Sequence, residues 1–219
     1  MRNKHEAEYH KYINHFIRGH CAADMLGRDM FPNGKEITES MAAFRAVMKY
    51  AGVSYDDDVT IVAVGDGHTP RTGALFAFRT KWICHSIDPN LRDQVWDVKR
   101  LTCHRARLED VRIESEVPVV VVAVHSHAPL HCCFESIKAP KMAIVEIPCC
   151  VGQVMHARPH LNYRDPAIWS PKNEVKIWSF EALAKTEEHW WYKKQAGIAQ
   201  TEEHEIRNLE VAGSTPAAS

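Results

Sequence analysis

The chain is expected to fold as an α/β domain, a mostly parallel sheet flanked by helices with a helical extension before it, and three observations point there. A continuously apolar, β-branched run over residues 59–64 leads directly into a glycine turn and a proline-marked helix start. Further apolar runs follow, mostly separated by spans that can hold a helix or a long crossover. An aspartate, Asp88, closes the next of these runs about 20 residues beyond the glycine turn.

Bulk properties bound the rest. A chain of 219 residues, 45% of them hydrophobic, can bury one full core with modest additions. Lys and Arg number 27 against 28 Asp and Glu, a net charge of -1. That balance excludes a whole-protein basic field, so any nucleic-acid contact must rest on a local patch. The seven cysteines include two adjacent pairs, Cys132-Cys133 and Cys149-Cys150. An odd count without framework spacing points to a reducing compartment. No apolar segment near the start is long enough for a signal peptide or a membrane span. A soluble, cytoplasmic protein without membrane association is therefore expected.

From Glu6 to Leu26, the residues Tyr9, Ile13, Phe16, Ile17, Cys21 and Met25 recur at spacings of three and four, the stripe of one amphipathic helix. Phe31-Pro-Asn-Gly34 ends it. A second helix fits residues 39–51, with Thr38 as its cap, Met41, Phe44, Val47 and Met48 on one face, and Gly52 at its stop. These two make up the extension, residues 1–53.

Residues 59–64 read as the first strand, buried on both faces as a parallel strand should be. Residues 82–87, roughly 100–104, 117–124, 142–147 and 175–178 supply the other strands, giving a core over residues 54–180. Beyond it, residues 181–210 are helical and charged in character, and 211–219 have nothing to pack with and read as a disordered tail.

The glycine turn carries the first functional signal. Gly65-Asp66-Gly67 follows the first strand, and Thr69 with Pro70 supplies a cap and a first-turn proline for the next helix. Glycines permit a tight turn and close backbone approach to a ligand, while free amides at a helix start favour polar or anionic groups. Gly73 would let that helix pack closely on the sheet. Asp88 stands at the separation where an acidic side chain meets ribose hydroxyls. Together these features describe a Rossmann-like nucleotide-binding unit. Pro70 occupies the last glycine position of the dinucleotide pattern, and the lysine of a phosphate loop is missing, which argues against both of those classes.

In the second half, one strand ends in His125-Ser-His127 and the next in Ile147-Pro-Cys-Cys150-Val-Gly152. With Val64-Gly-Asp-Gly67 and Val122-Ala-Val-His125, these motifs resemble the class I methyltransferases that carry a proline-cysteine-cysteine signature. That subgroup includes the methyltransferase domain of glutathione S-transferase C-terminal domain-containing protein and related RNA methyltransferases. The resemblance spans residues 59–152. It implies a Rossmann-like methyltransferase fold and S-adenosylmethionine as ligand, with Gly65, Asp66 and Gly67 at the cofactor, Asp88 on the ribose, and Glu109 or Asp110 near the adenine. Two departures stand out: many such enzymes have an acid where this chain has Ala63, and His68-Thr69 follow where a third glycine is common.

Methyl transfer is an in-line displacement, so the protein positions the acceptor and, for a weak nucleophile, removes its proton. His125 and His127 are the candidate bases. Two apart on an extended segment, they are expected to point to opposite sides, with only one facing the pocket, and His125 is preferred. Cys149 and Cys150 read first as packing or pocket wall, with nucleophile or metal ligand as alternatives. A zinc site would have to draw on His125, His127, His131, Cys132, Cys133, Cys149, Cys150 or His156, and no C-x-x-C or H-E-x-x-H spacing supports it. Residues 190–194, Trp-Trp-Tyr-Lys-Lys, read first as docking a terminal helix and alternatively as stacking on single-stranded nucleic acid; the family resemblance together with that cluster makes RNA the first-choice acceptor. Cleavage of S-adenosylmethionine by the same fold, and a non-catalytic nucleotide- or partner-binding domain, remain open as alternatives.

Overall fold

A computed structural model describes residues 8–149 and 158–180. Cys150, Gly152, His156, the helix and tail expected over 181–219 and the aromatic-basic cluster at 190–194 lie outside the described residues.

Two short helices replace the single one expected near the start, α1 (Lys11–Ile17) and α2 (Ala22–Gly27). The break falls at Gly19, whose amide donates to Phe16 O in a tight turn. A Cβ there would lie 2.8 Å from Arg79 Nη1 and 3.0 Å from the Phe16 carbonyl. Of the expected stripe, Phe16, Cys21 and Met25 are buried and Ile13 packs partly against the core, whereas Tyr9 and Ile17 are exposed and Tyr12 takes a buried place instead.

Helix α3 (Gly34–Tyr50) begins a turn earlier than its hydrophobic pattern indicates. Its cap is Asn33, whose side chain accepts the Glu36 amide at 3.1 Å. The polar first turn hid this start from a reading based on apolar periodicity. Thr38, the expected cap, sits inside the helix, donates to Lys35 O and accepts the Trp169 amide.

The strands are β1 (Thr60–Val64), β2 (Ile83–Ile87), β3 (Leu101–His104), β4 (Ile113–Glu114), β5 (Val119–Val124), β6 (Ile137–Lys138), β7 (Met142–Ile147), β8 (Leu161–Arg164) and β9 (Glu174–Trp178), with α4 (Arg71–Arg79) between β1 and β2 and α5 (Cys133–Ser136) before β6. Seven form one sheet in the order β3-β2-β1-β5-β7-β9-β8, and β4 with β6 forms a separate two-stranded ladder. Strands β3, β2, β1, β5 and β7 are mutually parallel. β9 runs antiparallel to β7, pairing Ile144 with Trp178, and β8 runs antiparallel to β9. The fold is thus α/β with a mostly parallel, Rossmann-like sheet. In the dinucleotide order 3-2-1-4-5-6 a sixth parallel strand lies beside the fifth; here a reversed strand is inserted in that place. Strand β8, half-polar at the edge, has too short an apolar alternation to stand out in the sequence.

The two sheet faces differ. Ile61, Cys84, Val120, Val122, Val145 and Ile177 pack under α1 to α4 against Phe16, Met41, Phe44 and Phe76. Val62, Val64, Ile87, Val121, Ile144 and Trp178 face the other way, beneath Leu108, Leu130, Cys133 and Ile137. Full burial of each such aliphatic side chain contributes about 1.5–3 kcal/mol, which accounts for the continuous valine runs. Among the described residues, the second face is covered by α5, the 3-10 turns Leu108–Asp110 and Leu130–Cys132 and the small ladder rather than by long helices. No helix among them is long and apolar enough to cross a membrane.

Candidate functional site

The sheet reverses its strand order between β1 and β5, and open α/β sheets bind ligands at such a point, at the carboxyl ends of the strands. A cleft of about 450 Å³ opens there, lined in part by Gly65, Gly67, Arg71, Asp88, Glu109, His125 and His127.

The glycine turn is shaped by two requirements. Gly65 and Gly67 have φ of 68° and 81°, a region that side-chain-bearing residues enter at a cost. A Cβ on Gly65 would also lie 2.1 Å from Ser126 Oγ and 3.0 Å from Ser126 Cα. The turn therefore presses directly on the segment that follows β5. Asp88 locks the other side: its carboxylate accepts the Gly67 amide at 2.8 Å and the Asn90 amide at 2.7 Å. A carboxylate has about four lone-pair sites, so Asp88 keeps capacity for further donors at the cleft wall.

Asp66 does something other than what its place in the turn suggests. It is 3% exposed and turned away from the cleft. Its carboxylate accepts the amides of Thr72 (2.9 and 3.1 Å) and Gly73 (3.0 Å) and the Ser86 hydroxyl (2.9 Å). The Asp66 side chain thus satisfies first-turn amides of α4 and ties that helix to β2. Thr69, expected to cap, instead donates its hydroxyl to Met30 O, and Pro70 occupies the cap position. The expectation of free helix-start amides is corrected accordingly: Asp66 already holds two of them. Gly73 does allow close packing, for a Cβ there would meet Ser86 Cβ and Leu101 Cδ1 at 3.1 Å.

The two histidines both line the cleft, contrary to the strand-alternation argument. β5 ends at Val124, and His125 then takes φ of 49°, which breaks the alternation. His125 Nε2 lies 2.9 Å from Glu39 Oε1, on α3. Glu39 is itself buried, and Lys35 Nζ contacts both its oxygens at 2.8 and 3.1 Å. Burial pushes the Glu39 carboxyl up, but His125 and Lys35 outweigh it, so the group is held below its usual range. His127 is exposed at the cleft lip, with Nε2 3.0 Å from Cys149 Sγ at the end of β7. Among the described residues, no group of three or more His, Cys, Asp or Glu gathers to hold a metal ion.

Glu109 borders the cleft from the 3-10 turn after β3, whereas neighbouring Asp110 is exposed and is not part of its lining. Arg71 and its partner Glu36, 2.8 Å apart, were not singled out by sequence. The Arg71 guanidinium also donates to the Asp66 carbonyl and borders the cleft beside Gly67. Nothing in local pattern distinguishes Glu36, Glu39 or Arg71 from ordinary helix-surface charges; only the meeting of α3, α4 and β5 does.

No protein-family model matches this sequence, and a search of curated proteins finds no match.

Proposed function

We propose that this protein is an S-adenosylmethionine-dependent methyltransferase acting on a macromolecule, with RNA the first candidate acceptor. The observation that carries this reading is Asp66. In phosphate-binding Rossmann-like sites the amides at the helix start receive the phosphate oxygens. Here a buried carboxylate takes the Thr72 and Gly73 amides, and its charge opposes an approaching phosphate. Asp88, meanwhile, accepts the Gly67 amide and keeps acceptor capacity at the cleft wall, which suits a ribose. A nucleoside ligand without phosphates matches that combination, and S-adenosylmethionine is such a ligand.

The remaining residues suit it. Asp88 offers acceptor sites to a ribose diol, and Ile87, Ala106 and Leu108 give an apolar wall for a purine ring. S-adenosylmethionine supplies an activated methyl group; the chain's part is to orient the acceptor and take up its proton. His125 is the candidate base, since it lies at the cleft and contacts a buried carboxylate. The reversed β9 beside β7 separates the sheet from the dinucleotide order and agrees with this choice.

Calorimetric titration with S-adenosylmethionine, S-adenosylhomocysteine, NAD and ATP tests the reading. The two sulfur compounds should bind and the two phosphates should not, and Asp88→Ala should weaken binding at least about 10-fold, the loss of a charge-assisted ribose contact. Binding of NAD or ATP alone would sink it.

A further inference from the structure

Glu39 lies in the helical segment ahead of the sheet, and nothing in the glycine turn or the strand-end motifs requires it. Its carboxylate is nonetheless among the buried polar groups of the molecule, on a helix whose neighbouring Thr38 and Ser40 are also buried. It meets one ring nitrogen of His125 at 2.9 Å and one ammonium, Lys35, at 2.8 Å. His125 Nε2 has no solvent access, while the residue as a whole borders the cleft. That leaves Nδ1 as the ring nitrogen available to a ligand.

From this we infer that Glu39 is a positioning residue that holds His125 in the tautomer protonated on Nε2, with the Nδ1 lone pair directed to the acceptor, and that the acceptor's attacking atom carries a proton. The inference rests on the methyl-transfer reading for the acceptor class, though not for the tautomer. A carboxylate beside one imidazole nitrogen favours N–H on that nitrogen and stabilises the imidazolium once a proton arrives. The Nε2–H direction is out of line with Glu39 Oε1, a misalignment that ligand binding commonly corrects in catalytic contacts.

The step balances as follows. The acceptor X–H gives its proton to His125 Nδ1 as the X–C bond forms. The S–C bond of S-adenosylmethionine breaks and its electron pair stays on sulfur, leaving neutral S-adenosylhomocysteine. The imidazolium faces the Glu39 carboxylate and later releases its proton to water. Such a base serves hydroxyl or exocyclic amino groups. A ring nitrogen that attacks with a free lone pair and becomes cationic has no proton to give and needs none of it.

The test uses the full chain. Long-range proton–nitrogen spectra, with His125 identified by the signals lost in His125→Asn, should show neutral His125 protonated on Nε2. In Glu39→Gln the tautomers should mix, and Glu39→Asp should fall between. Protonation on Nδ1, or spectra unaltered in Glu39→Gln, would overturn the proposal; a purely structural Glu39 would shift melting without shifting the tautomer. With total RNA as acceptor and digestion to nucleosides, ribose O-methyl or exocyclic N-methyl products support the acceptor class, and a cationic ring-N-methyl product defeats it. In that assay Glu39→Gln should lower kcat about 10- to 100-fold, with S-adenosylhomocysteine affinity unchanged. Absence of S-adenosylhomocysteine binding would defeat the methyl-transfer reading and the acceptor class together, leaving the tautomer result standing.

Discussion

The Asp88 carboxylate accepts the Gly67 amide at 2.8 Å, so the acid just after β2 and the glycine turn after β1 are joined in one wall of the cleft. The second acid of the same region, Asp66, faces inward and builds the base of α4. One carboxylate is available to a ligand and the other is consumed by the fold. Substitutions should separate these roles.

Asp66→Ala leaves the Thr72 and Gly73 amides and the Ser86 hydroxyl without their shared acceptor. Charged hydrogen bonds of this kind are worth about 1.5–3 kcal/mol each and are not additive, so a net loss of about 2–4 kcal/mol is expected. Thermal unfolding should move down by about 5–15 °C. An unchanged melting temperature would show that these amides find another acceptor.

Gly65→Ala is expected to cost about 2–4 kcal/mol, from the left-handed backbone and from collision with Ser126. Because Ser126 Cα itself lies at 3.0 Å from the added carbon, Ser126→Gly in the same chain should recover only part of the loss. Denaturant titration of the single and double variants measures both; complete recovery would mean that only the Ser126 side chain matters.

The stacked pair His85 and His104, with Nδ1 and Nε2 3.0 Å apart, gives a pH dependence outside the cleft. Burial first, then the neighbouring His104, lowers His85 from 6.5 to about 4. Burial lowers His104 as well. A histidine depressed in the folded state contributes stability that is complete above its unfolded value and is lost as pH falls towards its folded value. Stability should therefore decline from about pH 6.5 down to about 4. His85→Gln should flatten that part of the profile, and a profile with the same slope in the variant would count against it.

Glu146, on β7, is 2% exposed and its Oε1 has no hydrogen-bond partner among the described residues. Burial raises its carboxyl, Lys176 offsets part of this, and Glu174 adds to it. A carboxyl raised in the folded state favours folding at low pH and costs stability once pH rises past the unfolded value. Glu146→Gln should accordingly be more stable at pH 7 by about 1 kcal/mol, with the two proteins converging near pH 4.5, the ordinary carboxyl value. A less stable variant at pH 7 would show that the charge is compensated.

The parallel strands, the glycine turn and the position of Asp88 were legible in the sequence because each is a local pattern. β-branched runs mark strands buried on both faces, glycine marks positive φ, and the acid sits a fixed distance along one crossover. β8 and the polar first turn of α3 escaped notice because their apolar content is too low to show a period. The break between α1 and α2 escaped for a different reason: the stripe continues across it.

What the sequence alone determined is the α/β class and where along the chain the cleft at the strand ends is built, since strand, turn and acid follow from residues close together. Tertiary structure decided the chemistry of that cleft. Asp66 came to hold first-turn amides of α4 only once Thr72, Gly73 and Ser86 converged on it, and both histidines reached the cleft because His125 leaves the strand with φ of 49°. Glu39 acquired a role only by meeting His125 across 86 positions of chain. Such pairings depend on how α3 packs over β5, an energy shared among many buried side chains that no single stretch of sequence displays.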